Sequence, residues 1–130
     1  MSTLWGIPEW MCWYVNYQQP CEGPEAIDIC LDLHAQAGVR HIAWNLGRSV
    51  VDYHSDLRDT TRMCERGDQV GRVSWAFVRE VMDQVCPLRR ALENSASNGL
   101  ELWGRLSMNR HYGPGGYEGV TSHFASDHPQ

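Results

Sequence analysis

The sequence predicts an α/β fold, read as a βαβαβ segment that forms the first three βα units of a parallel (β/α) barrel of the TIM-barrel type. Three observations lead to this. Apolar runs of strand character alternate with stretches whose apolar residues recur at spacings of three and four, and such alternation implies parallel strands joined by helical crossovers. The order helix, glycine stop, strand, loop occurs at Gly38 and again at Gly99. No glycine-rich turn follows the first strand, where a small doubly wound nucleotide-binding domain carries its phosphate signature.

The first strand is expected at Trp10–Asn16 (WMCWYVN), rich in aromatic and β-branched residues and closed by the breakers of Gln18–Pro24. Pro24-Glu25 then opens a helix, as proline favours a first turn. Its apolar stripe is Ile27, Cys30, Leu31 and His34, with Ala26, Ile29, Leu33 and Ala37 beside it, and Gly38 ends it. Val39–Leu46 (VRHIAWNL) reads as the second strand, nearly continuous in apolar character as parallel strands are. A long polar loop is expected from about Arg48 to Arg72. Ser74 is a good N-cap for a helix carrying Phe77, Val78, Val81, Met82 and Val85 at helical spacing. Pro87 must break or kink that helix, since it lacks the amide hydrogen and clashes with the preceding turn; Leu88–Ala96 resumes it up to the stop at Asn98-Gly99. Leu100–Met108 (LELWGRLSM) is the third strand, and the glycine-rich stretch His111–Gly119 is a loop.

A complete barrel takes about 250 residues, so the chain, 130 residues long, is expected to be a single partial domain over 1–130. The edges of its first and third strands then need a partner, either the remainder of the barrel or a second copy. The charge balance is −5 and every basic residue is arginine, which leaves no electrostatic footprint for nucleic acid. No apolar run reaches the roughly 18 residues of a membrane span. The segment Met1–Tyr17 is apolar but has no basic start and contains Pro8 and Glu9, so it reads as mature sequence. Five cysteines, Cys12, Cys21, Cys30, Cys64 and Cys86, form no CxxC pair. Free thiols in a reducing cytoplasm fit best, with Cys30 and Cys86 acting as small core hydrophobes; a Cys12–Cys21 disulfide stays open. No cofactor is expected.

In parallel barrels the active site forms at the C-terminal ends of the strands, where the βα loops converge. That rule selects Asn16 and Tyr17 after the first strand, Asn45, Arg48, Asp52 and His54 after the second, and Arg105, Asn109, Arg110 and His111 after the third. Their donors and acceptors suit a polyol, and Trp44, Trp103 or Tyr112 could lie flat against a sugar ring. The structural alternatives are that the arginines bridge loops and that the tryptophans, six in the chain, fill the core. Asp52, His54, His41 and His111 could be imagined around a metal, but no His-x-His or HExxH spacing supports it, and no metal is expected. Asp52 and His54 read better as an anchor for the long loop. No G-x-S-x-G elbow is present, and Cys64 lies in a charged loop with no evident base, so nucleophilic catalysis has no candidate.

Three segments carry a resemblance: Trp44–Ser55 (WNLGRSVVDYHS), Trp103–Gly113 (WGRLSMNRHYG) and Thr121–Pro129 (TSHFASDHP). Together they resemble the N-terminal part of uncharacterised bacterial glycoside-hydrolase-like barrel proteins, over most of the chain after Pro24. The resemblance implies a carbohydrate substrate and further βα units beyond these. It also implies that the acid/base and nucleophilic carboxylates lie on later strands, so neither is assigned to a residue here and the chain alone is expected to be inactive. A non-catalytic ligand-binding or assembly module is the alternative, and a metal-dependent hydrolase the third reading.

Overall fold

The computed structural model describes residues 4–8, 23–47, 51–56, 69–70 and 73–106. The elements are β1 (Trp5–Gly6), α1 (Glu25–Gln36), β2 (His41–Asn45), β3 (Gln69–Val70), β4 (Val73–Ser74), α2 (Trp75–Gln84), α3 (Pro87–Ser97) and β5 (Glu101–Arg105). Strands β1, β2 and β5 form one parallel sheet in that spatial order, with β2 in the centre. The mixed α/β class and the parallel sheet are therefore as expected.

Both helix-to-strand passages use the same local device. In α1 the Val39 amide donates to His34 O and the Gly38 amide to Ala35 O, each at 3.0 Å, while Gly38 takes φ of 81°. In α3 the Leu100 amide donates to Ser95 O at 2.9 Å and the Gly99 amide to Ala96 O at 3.4 Å, with Gly99 at φ 64°. These are Schellman closures: the left-handed glycine lets the chain fold back over the orphan carbonyls of the last turn. The residue that follows each glycine, Val39 or Leu100, is buried in the core. Directly after them the Glu101 amide donates to Arg40 O at 2.8 Å and opens the β2–β5 ladder.

The first strand of the sheet lies upstream of the expected one. Trp5 pairs with His41 and Gly6 with Ile42, whereas Trp10–Asn16 lies outside the described residues. Gly6 is used for close approach: a Cβ there would meet His34 Cδ2 at 2.6 Å and Ile42 Cδ1 at 2.9 Å. His34 is itself held by a hydrogen bond between its Nδ1 and Cys30 O at 2.7 Å. The long loop expected to run to Arg72 ends instead in an antiparallel hairpin, in which Val70 pairs with Val73 and Gln69 with Ser74. Ser74 thus closes β4 and immediately precedes α2. Pro87 separates two helices outright, taking the first turn of α3 with Cys86 as its extended N-cap.

Register decides which side chains share a face, because partners in a parallel ladder point the same way. Ile42 and Trp44 of β2, with Leu102 of β5, pack into a cluster with Ala26, Ile27, Cys30 and Leu31 of α1, Phe77, Val78, Val81 and Met82 of α2, and Ala91 of α3. All three helices therefore cover one face of the sheet. The core stripe of α1 is narrower than expected, since Leu33 is exposed. The opposite face carries Trp5, His41, Ala43, Glu101 and Trp103, and among the described residues no helix covers it. No described helix is long and apolar enough to cross a membrane.

Outside the apolar cluster, α1 and α3 are joined by a polar seam. Arg90 Nε–H donates to both Asp28 carboxylate oxygens, at 3.2 and 3.0 Å, and its Nη2 bonds Oδ2 as well. One turn on, Asn94 Nδ2 donates to Asp32 Oδ1 at 3.1 Å, and another turn on Asn98 Nδ2 donates to the same oxygen at 2.8 Å. The spacing of four on both helices makes a ladder that sets their register. Hydrogen bonding to the Asp28 carboxylate holds the Arg90 guanidinium pKa above its usual value, outweighing the opposing effect of desolvation. Cys30 and Cys86 are free thiols, and Cys12, Cys21 and Cys64 lie outside the described residues.

Three outcomes follow from this local structure. No atom lies within 4 Å of a Cβ added at Gly99, so Gly99→Ala is expected to lower stability through backbone strain alone, by about 1 kcal/mol in urea melts. Burial pushes the Cys30 thiol from 9.0 up to about 12. The folded state then holds this proton where the unfolded state releases it, so the contribution is complete below about pH 9 and is lost as pH rises toward 12. Wild type should therefore lose more stability than Cys30→Ala between pH 8 and about pH 10.5, and Cys30 should react with thiol reagents at pH 8 only on unfolding.

Candidate functional site

The C-terminal ends of β2 and β5 meet in register, Asn45 beside Arg105, and the Leu46 amide donates to Arg105 O at 2.9 Å to close the ladder. Past Asn45 the chain turns at once. Asn45 Oδ1 accepts the Gly47 amide at 3.1 Å, a side-chain turn of the kind asparagine favours because its carbonyl mimics the backbone. Gly47 forms an antiparallel bridge to Val51, and the Asp52 amide donates to Leu46 O at 3.1 Å. This returns Asp52 to the end of β2, where it is buried, as is Asn45. Asn45, Asp52 and Arg105 thus gather at one end of the sheet.

Chemically the trio comprises one amide, one carboxylate and one guanidinium, side-chain types suited to hydroxyl groups, and Asp52 and Arg105 already engage neighbouring groups. Part of Asn45 is committed to the turn. Arg48, Asn109, Arg110, His111 and Tyr112, together with Asn16 and Tyr17, lie outside the described residues. Because β1 ends at Gly6, the residues that follow the first strand are Ile7 and Pro8.

His54 departs from the trio. Its Nε2 donates to Met82 O at 2.6 Å, a carbonyl in the last turn of α2 where intrahelical partners run out. The residue ties the 51–56 stretch to the end of α2, the anchoring role expected for it. His41 is the first residue of β2 and so stands at the opposite end of that strand from Asn45. Of the imagined metal set, His111 lies outside the described residues, and among the described residues no group of three or more His, Cys, Asp or Glu side chains, Asp52, His54 and His41 included, is placed to hold a metal ion.

The tryptophans divide by face. Trp44, one candidate for stacking on a sugar, is 1% exposed and sits among the helices, so it belongs to the core. Trp103 is 52% exposed on the helix-free face, where its ring centroid lies 5.8 Å from that of Trp5, itself 47% exposed. Trp5 stacks on His41 with centroids 5.0 Å apart and planes at 25°. The sequence does not announce this aromatic group, because Trp5-Gly6 is too short to read as a strand; the alternation His41, Ala43, Asn45 against Ile42, Trp44 is the signal it does carry. The chain matches no family model and no curated protein.

Replacing His54 tests the tether. His54→Ala should cost about 1 kcal/mol in urea melts and speed amide exchange in the 51–56 peptide, leaving the α1–α3 seam as protected as before.

Proposed function

We propose that the chain is the N-terminal part of a carbohydrate-active, glycoside-hydrolase-like parallel barrel, contributing substrate contacts from its strand ends while the acid/base and nucleophilic carboxylates belong to later βα units. The observation that carries this reading is the one-directional strand order β1-β2-β5 with α1, α2 and α3 on a single face. A barrel begins in this way, with helices outside and side chains inside, and so does one half of a doubly wound sheet before its strand order reverses; the absence of a glycine-rich turn after the first strand is what favours the barrel. The helix-free face with Trp5, His41 and Trp103 then corresponds to a barrel interior, and the remainder of the barrel supplies the strand beside β5.

Asn45, Asp52 and Arg105 are the substrate contacts proposed from the geometry, and Arg48, Asn109, Arg110 and His111 join them on sequence position. His54 is left out of that set. Free Cys30 and Cys86 accord with a cytoplasmic setting. The half-exposed indoles also favour a second reading, a non-catalytic module that covers this face by pairing with a second copy of itself. Size determination separates the two: a cooperative homodimer supports the module.

The test of the main reading combines an assay with a titration. The 130-residue chain should hydrolyse no aryl-glycoside, while a panel of oligosaccharides should include weak binders that shift the amide resonances of Asn45, Gly47, Asp52 and Arg105. Turnover by the chain alone, or shifts confined to the α1–α3 seam, would contradict it.

A further inference from the structure

Strand β5 has β2 on one side, and among the described residues no strand lies on its other side. The ladder to β2 fixes what that outer edge presents. The Glu101 amide donates to Arg40 O, and Arg105 O accepts the Leu46 amide. Glu101, Trp103 and Arg105 therefore turn their backbone groups to β2. In a parallel strand the next residues turn theirs the opposite way, which leaves the amides and carbonyls of Leu102 and Gly104 pointing outward. Side chains alternate too: Glu101, Trp103 and Arg105 stand on the helix-free face and Leu102 on the helix face.

Run antiparallel to a second copy, this edge matches itself. Outward residues must oppose outward residues, and the register centred on Trp103 does this, Leu102 exchanging both backbone bonds with Gly104 of the second copy. The two Trp103 residues then meet on the twofold axis as a non-hydrogen-bonded pair, the kind whose side chains come closest. Glu101 falls opposite Arg105 of the second copy, and Arg105 opposite its Glu101. Sliding the copies by two residues either way keeps the hydrogen-bonding pattern and loses both ion pairs. On the helix face Leu102 meets Gly104, which has no side chain to obstruct it. The Glu101 carboxylate is 57% exposed, with Oε2 beside His41 Nδ1, and Trp103 is 52% exposed. Arg105 already engages its own chain, and its fork of N–H donors accommodates a second acceptor.

We propose that β5 is a self-complementary edge through which the 130-residue chain forms a twofold dimer, its sheet continuing into that of a second copy. The axis is perpendicular to the sheet, so both sets of helices stay on one side and both Trp103 rings on the other. The proposal rests on the self-pairing reading and supplies its contact; in the barrel reading a later strand takes this edge instead.

Sedimentation of the full chain at micromolar to millimolar concentration tests it. Wild type should form a dimer. Glu101→Arg and Arg105→Glu each place like charges opposite one another at both ends of the paired strands, so each alone should raise the dimer Kd about tenfold. An equimolar mixture of the two variants should form a heterodimer near wild-type strength, because arginines at both ends of one strand then meet glutamates at both ends of the other. A wild type that stays monomeric overturns the proposal together with the self-pairing reading. A dimer that neither substitution weakens, or that the mixture does not restore, overturns the proposal alone. If Arg105→Glu does not fold by circular dichroism, Trp103→Cys decides, since an antiparallel non-hydrogen-bonded pair has Cα atoms about 4.5 Å apart, within disulfide reach. With oxidised glutathione it should give a disulfide joining residue 103 of the two copies, located by peptide mass mapping; cross-links confined to the native cysteines, or none, overturn the proposal.

Discussion

Trp44 stands next to the last residue of the central strand with its side chain buried among the helices, and the arrangement of the rest follows from how that one face is covered. Parallel strands cannot be joined by tight turns. Each needs a crossover that leaves the sheet and returns, and each crossover helix must bury an apolar stripe. When the strand order grows in one direction, crossovers of one hand deliver their helices to the same side. Ile42, Trp44 and Leu102 meet the stripes of α1, α2 and α3 there, so burial is one-sided. Removing the Trp44 ring would cost about 3–5 kcal/mol, the range for deleting a large aromatic from a core.

One-sided burial also explains where polar chemistry collects. The α1–α3 seam of Asp28, Asp32, Arg90, Asn94 and Asn98 lies outside the apolar cluster and satisfies itself. It aligns the two helices and has no need of a ligand. The strand ends differ. There Asn45 and Arg105 sit in register, and the chain must turn away immediately, so the Asn45 carbonyl group and the Leu46 carbonyl are used to bring Asp52 back. A cluster of donors and acceptors at the C-terminal end of parallel strands is thus a product of the turn that ends the strand, and it is also the place where α/β folds hold ligands.

The parts of this fold that were legible in the sequence are those with a local cause. Gly38 and Gly99 mark their helix ends because only a left-handed residue completes the Schellman closure. Phe77, Val78, Val81 and Met82 fall on one helical stripe, and Pro87 divides two helices. The parts that were missed depend on distant partners. Trp5-Gly6 has too few residues to announce a strand, and becomes one only because His41-Ile42 is there to pair with it. The antiparallel pairing of Val70 with Val73 has a sequence signal, a glycine between two short runs, but it lies inside a polar stretch. Position after a strand is the sequence signal for a site at the C-terminal ends of a parallel sheet. That rule placed Asn45 and Arg105 together, yet it could not separate Asp52 from His54, because the carbonyl that binds His54 belongs to α2. Nor could it tell that Trp44 and Trp103 face opposite ways without the strand register.

Everything else in the fold depends on α1, α2 and α3 covering one face of the β1–β2–β5 sheet and leaving the Trp103 face free of those helices. Nuclear Overhauser contacts from the indole rings measure this directly. The Trp44 ring should show contacts to methyl groups of the helix cluster, and the Trp103 ring should show contacts to Trp5 and none to methyl groups of α1, α2 or α3. Contacts from Trp103 to those helix methyls would mean that helices reach both faces, and the singly wound architecture would be wrong.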